Sequence, residues 1–266
     1  MESRSFLFVP AEREKLKKLN EINADAIIID LEDAVKEAKK QEALAYVKDA
    51  LGIFDYSKEM FVRINPENWE KEVEVILGFR DVGVVLPKVE DTTLLDMFQK
   101  QGINRKVIAL VETPRGMVKL EHIVEHPLVY AIGFGGQDYC VNTGMANRTS
   151  NLNPVKSRLV MYGKAYNKKV IDMIESEYRD WAKIVDSICD TRDMGFDGKL
   201  CIHPRQAKAI SLVWQDDMEE IKKWVDLYEA NSHGFVMCDG VVLEKPHIQR
   251  MKKVLEEYNR EKKCDE

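Results

Sequence analysis

The chain has 266 residues, of which 45% are hydrophobic, and this size suits one well-filled core better than two separate ones. Its 46 acidic and 40 basic residues give a formal net charge of −6. That balance gives no electrostatic footprint for nucleic acid or anionic lipid and favours a small charged metabolite as ligand. No apolar run approaches the roughly 18 residues of a membrane span, and residues 1–11 lack the pattern of a signal peptide. We therefore expect a cytoplasmic protein, whose five scattered cysteines are reduced thiols.

Short β-branched runs alternate with segments of helical period, which is the pattern of βαβ units around a parallel sheet. There are eight such runs, at residues 6–9, 26–29, 61–64, 82–86, 107–111, 129–134, 170–174 and 199–202. Eight alternating units predict an α/β protein with a closed (β/α)8 TIM barrel. An open doubly wound sheet would need a glycine-rich phosphate turn after the first strand, and residues 8–11 do not form one.

The segments between the runs carry the predicted helices, at residues 34–51, 69–79, 92–101, 116–124 and 178–194. Gly195 is placed to end the last of them. Beyond the eighth run come a charged helical pattern over 216–230, an apolar piece with glycines over 234–243 and a final helix from residue 246. We therefore predict a catalytic barrel over residues 1–215 and a C-terminal helical and lid extension over 216–266 within the same domain.

Ionisable residues stand at the ends of seven of the eight predicted strands. Barrel enzymes carry their chemistry at the carboxyl ends of the strands, so these side chains are the candidates for an active site. One carboxylate at such a position often only caps the next helix, but charges converging on one mouth cost stability unless a ligand compensates. These residues are Asp30, Glu32, Asp33, Arg63, Lys88, Glu90, Glu112, Arg115, Asp138, Asp172 and His203.

Glu112 and Asp138 are the best candidate metal ligands. They follow neighbouring strands of the predicted barrel and supply the oxygen donors that Mg²⁺ or Mn²⁺ prefers. Two protein carboxylates leave open positions for substrate oxygens. The glycines at 133, 135 and 136 allow close approach of the backbone beside Asp138, although they are also typical of a plain tight turn.

The basic residues at the strand ends are candidates for binding the substrate. Arg63 is placed for a bidentate contact with a carboxylate, and Lys88 for a point charge nearby. A Schiff base on Lys88 is the sharper alternative, which we disfavour because neighbouring carboxylates keep its amine protonated. His203 is more typical of a hydrogen-bonded structural residue than of a metal ligand, and we place it beside the substrate.

Six segments carry a family resemblance: RSFLFVPA at residues 4–11, DLEDAV at 30–35, VRIN at 62–65, LPKVE at 86–90, ETPRG at 112–116 and GKLCIHP at 198–204. In this order they resemble the citrate lyase beta subunit family, which includes malyl-, citramalyl- and citryl-thioester lyases. The resemblance implies a (β/α)8 barrel, usually a homotrimer, in which Glu112 and Asp138 hold Mg²⁺ and Arg63 binds the substrate carboxylate.

Two further residues gain a role from the resemblance. Lys15 falls where family members contact the phosphates of coenzyme A, although the charged run over residues 12–18 is also typical of a solvated helix face. Asp239 lies in a segment, residues 236–242, that resembles the family's lid, where an acidic residue reaches the active site of a neighbouring subunit. An ordinary hairpin turn at Asp239-Gly240 is the alternative.

This constellation predicts a Mg²⁺-dependent lyase that cleaves a 3-hydroxy-3-carboxyacyl thioester of coenzyme A or of an acyl carrier protein. Arg63 secures the carboxylate, the Arg115-Gly116 turn stabilises the enolate oxygen, and Asp239 delivers a proton to the enolate carbon. One alternative is a metal-dependent aldolase acting on free 2-oxo acids. Another is a non-catalytic barrel subunit of a lyase complex, against which the charged strand ends argue.

Overall fold

The computed structural model describes residues 3–214, 218–231, 234–238, 241–249, 251–252 and 255–256. Its internal contacts divide the chain into two compact units, residues 2–214 and residues 215–266. The boundary lies at the end of the predicted barrel. Whether the second unit belongs to the same domain stays a prediction.

The first unit is a closed barrel of eight parallel strands, in which each strand pairs with the next and the eighth pairs with the first. The prediction of a (β/α)8 barrel is therefore confirmed. Most strands are buried on both faces, which explains their continuous apolar runs. The strands are β1 (Ser5–Pro10), β2 (Ala26–Asp30), β3 (Glu59–Arg63), β4 (Val82–Leu86), β5 (Val107–Val111), β6 (Val129–Phe134), β7 (Lys169–Asp172) and β8 (Gly198–Cys201).

Helices connect the strands and cover the outside of the barrel. They are α1 (Arg13–Leu16), α2 (Lys40–Ile53), α3 (Trp69–Leu77), α4 (Thr93–Lys100), α5 (Pro114–Val118), α6 (Leu120–Glu125), α7 (Gly136–Thr143), α8 (Thr149–Ala165), α9 (Trp181–Asp193) and α10 (Pro204–Val213). After α9, Gly195 has a φ of +89°, the left-handed conformation that glycine adopts readily, as expected for a residue that ends a helix.

Two layers of apolar side chains hold the barrel together. The inner layer fills the barrel itself and includes Phe6, Ile28, Phe61, Leu110 and Ile171. The outer layer lies between the strands and the surrounding helices and contains the alternate residues of the same strands. The alternation follows from the strand period of two, so the inner layer identifies which residues further along each strand also point inward.

The second unit contains α11 (Met218–Glu229) and an antiparallel pair of strands, β9 (Phe235–Cys238) and β10 (Val241–Glu244). Val225, Leu243 and Ile248 form its small core. In this pair of strands, Cys238 stands opposite Val241. Asp239 and Gly240 lie outside the described residues, and the lid role of this segment stays a prediction. In the described parts of the chain, no helix has the length and apolar character needed to cross a membrane.

Candidate active site

Three ionisable side chains extend the inner layer toward the carboxyl end of the barrel. Asp30 and Arg63 each stand two residues beyond an inward-facing residue, Ile28 and Phe61, and Glu112 stands two beyond Leu110. The period of two therefore aims all three into the mouth. The register of β2 on β3 also sets Asp30 directly beside Arg63.

Arg63 is held by carboxylates on all sides of its guanidinium group. Its Nε and Nη2 donate to the two oxygens of Asp30 at 2.8 and 2.7 Å, and its Nη1 lies 3.0 Å from Glu32 and 3.4 Å from Asp33. Its guanidinium also lies over the ring of Phe8, 5.0 Å from the ring centre. Burial lowers the pKa of Arg63, but these carboxylates outweigh burial and raise it. The bidentate face expected to bind substrate is therefore occupied by Asp30.

Lys88 brings a second cation into the mouth. Its ammonium group donates to Glu32 at 2.8 Å, and its backbone has a φ of +50°, an uncommon value for a residue with a side chain. The hydrogen bond to Glu32 raises the pKa of Lys88, which keeps the amine protonated and disfavours a Schiff base. Burial raises the pKa of Glu32 in turn, against the opposing effects of Lys88 and Arg63.

Glu112 is the most perturbed acid of the site. Its side chain is 2% exposed, and its Oε2 is buried and accepts no hydrogen bond from the described residues. Burial, reinforced by the negative charge of Asp138, raises the pKa of Glu112 to about 8. A buried carboxylate with an unsatisfied oxygen facing a second carboxylate is costly on its own, and a bound cation would offset that cost.

A glycine turn makes room for this carboxylate. A Cβ at Gly135 would lie 2.3 Å from Cγ and 2.8 Å from Oε1 of Glu112, so only glycine fits there. The same turn leads into α7, whose first turn carries Asp138 half-buried beside Glu112. The glycines therefore do more than reverse the chain direction, because the missing Cβ of Gly135 leaves the space in which the side chain of Glu112 lies.

Glu112 and Asp138 fit a hard divalent cation. Mg²⁺ is usually held by one or two carboxylates, with water or substrate oxygens completing its octahedral shell. Within the described ranges, no cluster of three or more His, Cys, Asp or Glu residues forms a metal site, so a denser zinc-type centre is absent from them. The unsatisfied Oε2 of Glu112 is the oxygen most in need of a cation.

Three further predicted residues contact residues other than Glu112 and Asp138. Arg115 is exposed on α5, with its Nε 3.8 Å from Glu90, and Lys15 is exposed on α1, 3.3 Å from Glu12. His203 begins α10, where its Nδ1 accepts the backbone N–H of Arg205. That contact is structural, and the substrate contacts of all three residues stay predictions.

Asp172 does not belong to the mouth, contrary to its place among the converging strand ends. Its neighbour Ile171 points into the barrel, so Asp172 points outward, where it is fully buried. There it pairs with Lys156 and Lys199, which outweigh the effect of burial and lower its pKa. Sequence reasoning missed both lysines, and the sequence of β7 gives no signal for the direction of Asp172, because Val170 and Ile171 before it are both apolar and both buried.

Residues 4–204 match the HpcH/HpaI aldolase/citrate lyase family. Over 95% of this chain and 93% of the relative, the sequence is 29% identical to a (3S)-malyl-CoA thioesterase of Cereibacter sphaeroides. It is 28% identical to the mitochondrial citramalyl-CoA lyase of Homo sapiens, over 84% of this chain and 74% of that protein.

A solved structure of the citrate lyase beta subunit from M. tuberculosis, complexed with oxaloacetate and magnesium, has a similar fold. The two superpose with a TM-score of 0.71 at 27% sequence identity, over 80% of this chain and 97% of the other. The resemblance seen in the six sequence motifs is thereby confirmed.

Proposed function

Because this chain belongs to the HpcH/HpaI aldolase/citrate lyase family, we propose that it is a Mg²⁺-dependent carbon-carbon lyase. Its substrate is a 3-hydroxy-3-carboxyacyl thioester, of the citryl, citramalyl or malyl type, and its products are an acyl thioester and a 2-oxo acid. The observation that carries the proposal is the buried, unsatisfied carboxylate of Glu112 facing Asp138, in a mouth that also holds Arg63 and Lys88.

Glu112 and Asp138 would hold the metal ion, which would polarise the hydroxyl and carboxylate of the substrate as a Lewis acid. Lys88 is half-exposed in the mouth and offers a fixed positive charge to the substrate carboxylate. Arg63 reaches the same carboxylate in one of two ways. It exchanges Asp30 for the substrate, or it acts through the Nη1 side that Glu32 and the more exposed Asp33 now share.

The enolate that leaves needs a hydrogen-bond donor and a proton. The first role falls to the N-terminal turn of α5, where the N–H of Gly116 donates to the hydroxyl of Thr113 at 3.1 Å and would have to exchange that partner for the enolate oxygen. Arg115 stands beside this turn. Asp239 is the proposed proton donor, as part of a lid from a neighbouring subunit of a homotrimer.

Hydrolysis of the thioester is a second candidate function. It is favoured by the 29% identity to a protein named (3S)-malyl-CoA thioesterase. The same site would polarise the thioester carbonyl instead of the hydroxyl, and water would be the attacking group. The two reactions differ in their products, since only hydrolysis releases free coenzyme A.

The experiment is a screen of the purified protein with Mg²⁺ against citramalyl-, malyl- and citryl-CoA. Cleavage yields pyruvate, glyoxylate or oxaloacetate, detected as hydrazones, together with acetyl-CoA. Hydrolysis yields free thiol and no 2-oxo acid. The absence of both, together with turnover of the same acyl groups on an acyl carrier protein, would identify a subunit of a lyase complex. Turnover of pyruvate with an aldehyde alone would favour the aldolase.

The trans-acting lid has its own test. Protomers carrying Asp239→Asn and protomers carrying Glu112→Ala should each be inactive, and mixing them should restore part of the activity if the site is shared between subunits. Lack of recovery with subunit exchange verified would exclude a shared site.

A further inference from the structure

Two buried polar side chains are not used by the proposed chemistry: Lys199 in β8 and Gln206 in α10. Lys199 is 4% exposed and Gln206 is 3% exposed. Both donate to backbone carbonyls of the loop that follows β7. The Lys199 ammonium lies 2.9 Å from the carbonyl of Met173, and the Gln206 amide lies 2.7 Å from the carbonyl of Glu175. These side chains therefore fix the path of residues 173–176.

Gln206 is itself held firmly in place. Its carbonyl oxygen accepts the backbone N–H groups of Ile202 at 2.9 Å and of His203 at 3.1 Å. It thus connects the end of β8 and the start of α10 to the loop after β7, so the loop cannot shift without breaking hydrogen bonds in a buried position.

The loop of residues 173–176 packs against the turn that carries the metal ligand Asp138. The thioether of Met173 lies so close to Gly136 that a Cβ there would be 2.4 Å from the sulfur. One residue further along, the amide of Gln137 donates to the hydroxyl of Ser176 at 2.6 Å. Gly136 and Gln137 immediately precede Asp138. The contacts of Met173 and Ser176 therefore hold the first turn of α7 in position.

The charge of Lys199 is costly to keep for stability alone. Lys199 and Lys156 share one oxygen of Asp172, at 3.2 and 2.8 Å, so two buried ammonium groups face a single buried carboxylate. The other oxygen of Asp172 accepts no hydrogen bond from the described residues. Buried ion pairs of this kind are often no more stable than apolar replacements of similar volume. Lys199 also donates to the hydroxyl of Thr191 at 3.1 Å, but of the two lysines only Lys199 donates to the loop.

We propose that Lys199 and Gln206 are positioning residues for Asp138, and that they act through the loop of residues 173–176. The inference rests on the proposed function, because it takes Asp138 to be a metal ligand. Partners that orient a metal ligand from behind typically change metal affinity by about 10- to 100-fold when they are removed.

Lys156 provides a matched control. Both lysines pair with Asp172 and both line the same cleft of about 380 Å³, but only Lys199 donates to the loop. Mn²⁺ binding to the free protein is measured by calorimetry and by the spin resonance of unbound Mn²⁺. We expect Lys199→Met to weaken Mn²⁺ binding about tenfold, and Gln206→Met to act in the same direction. Lys156→Met should change the dissociation constant less than about twofold, because its contacts do not reach α7.

Met173→Ala tests the same path without disturbing the buried charges. It removes the thioether that packs against Gly136 and should also weaken Mn²⁺ binding. If Lys199→Met does not fold, Met173→Ala therefore still tests whether the loop positions Asp138. Equal affinity in the wild type, Lys199→Met and Met173→Ala would overturn this inference and leave the metal site standing. An equal loss in Lys156→Met and Lys199→Met would also overturn it. Absence of Mn²⁺ uptake by the wild type would overturn the metal site itself.

Discussion

The Glu112→Gln variant should be more stable than the wild type at alkaline pH when no metal is bound. Burial and the charge of Asp138 raise the pKa of Glu112 from an ordinary value of 4.5 to about 8. Between these two values the carboxyl is protonated in the folded chain and ionised in the unfolded chain, so stability falls as the pH rises. At about 1.4 kcal/mol per pH unit, the loss is about 3 kcal/mol by pH 7 and roughly 5 kcal/mol above pH 8.

The assay is unfolding by urea in the presence of EDTA at pH 5 and at pH 8.5. The Glu112→Gln variant should gain stability over the wild type at pH 8.5, by an amount on the order of 3 kcal/mol, and most of this gain should vanish at pH 5. Asp138→Asn serves as a graded comparison, because it removes only one of the two causes and should give a smaller gain of the same sign. A wild type that is as stable as Glu112→Gln at pH 8.5 would refute the reasoning.

Three further predictions concern the surroundings of the site. Gly135→Ala should weaken Mn²⁺ binding at least tenfold, because the added Cβ collides with Glu112. Gly52→Ala is the control and should leave Mn²⁺ binding unchanged, because the nearest atom to its added Cβ is 4.0 Å away. Arg63→Lys should lower kcat/KM by roughly tenfold or more, since an ammonium group cannot reproduce the paired contacts; a loss below about threefold would contradict this. Burial raises the pKa of Cys201 to about 12, so this thiol should not react with iodoacetamide at pH 7.5. Peptide mass spectrometry should find Cys201 unmodified after treatment, and the activity should be unchanged.

The strands were the most predictable part of the molecule. The bounds of β4, β5 and β6 agree with those predicted from sequence, because each is a short β-branched run bounded by turn or charged residues. Helix α8 was not predicted. Its first half is rich in asparagine and serine and contains Pro154, and its helical state depends on packing against the barrel through residues such as Leu152 and Leu159.

The candidate site was predictable where position along a strand decides the direction of a side chain. Glu112 and Arg63 follow from strand ends and the period of two. The partners of Arg63 could not be predicted in this way. Its pairing with Asp30 depends on the register of β2 on β3, which the sequence of one strand does not reveal. The outward direction of Asp172 could not be predicted, because Val170 and Ile171 are both apolar and leave β7 without a polar face. Its pairing with Lys199 arises only when the barrel brings β7 beside β8.

The most direct test of a metal-dependent lyase is the release of 2-oxo acid from the best thioester of the screen, measured with the wild type and with Glu112→Ala in Mg²⁺ and in EDTA. The wild type should form 2-oxo acid and acyl thioester in equal amounts only in Mg²⁺, and Glu112→Ala should neither bind Mg²⁺ nor form either product. Undiminished turnover by Glu112→Ala, or by the wild type in EDTA, would contradict a metal-dependent cleavage at this site.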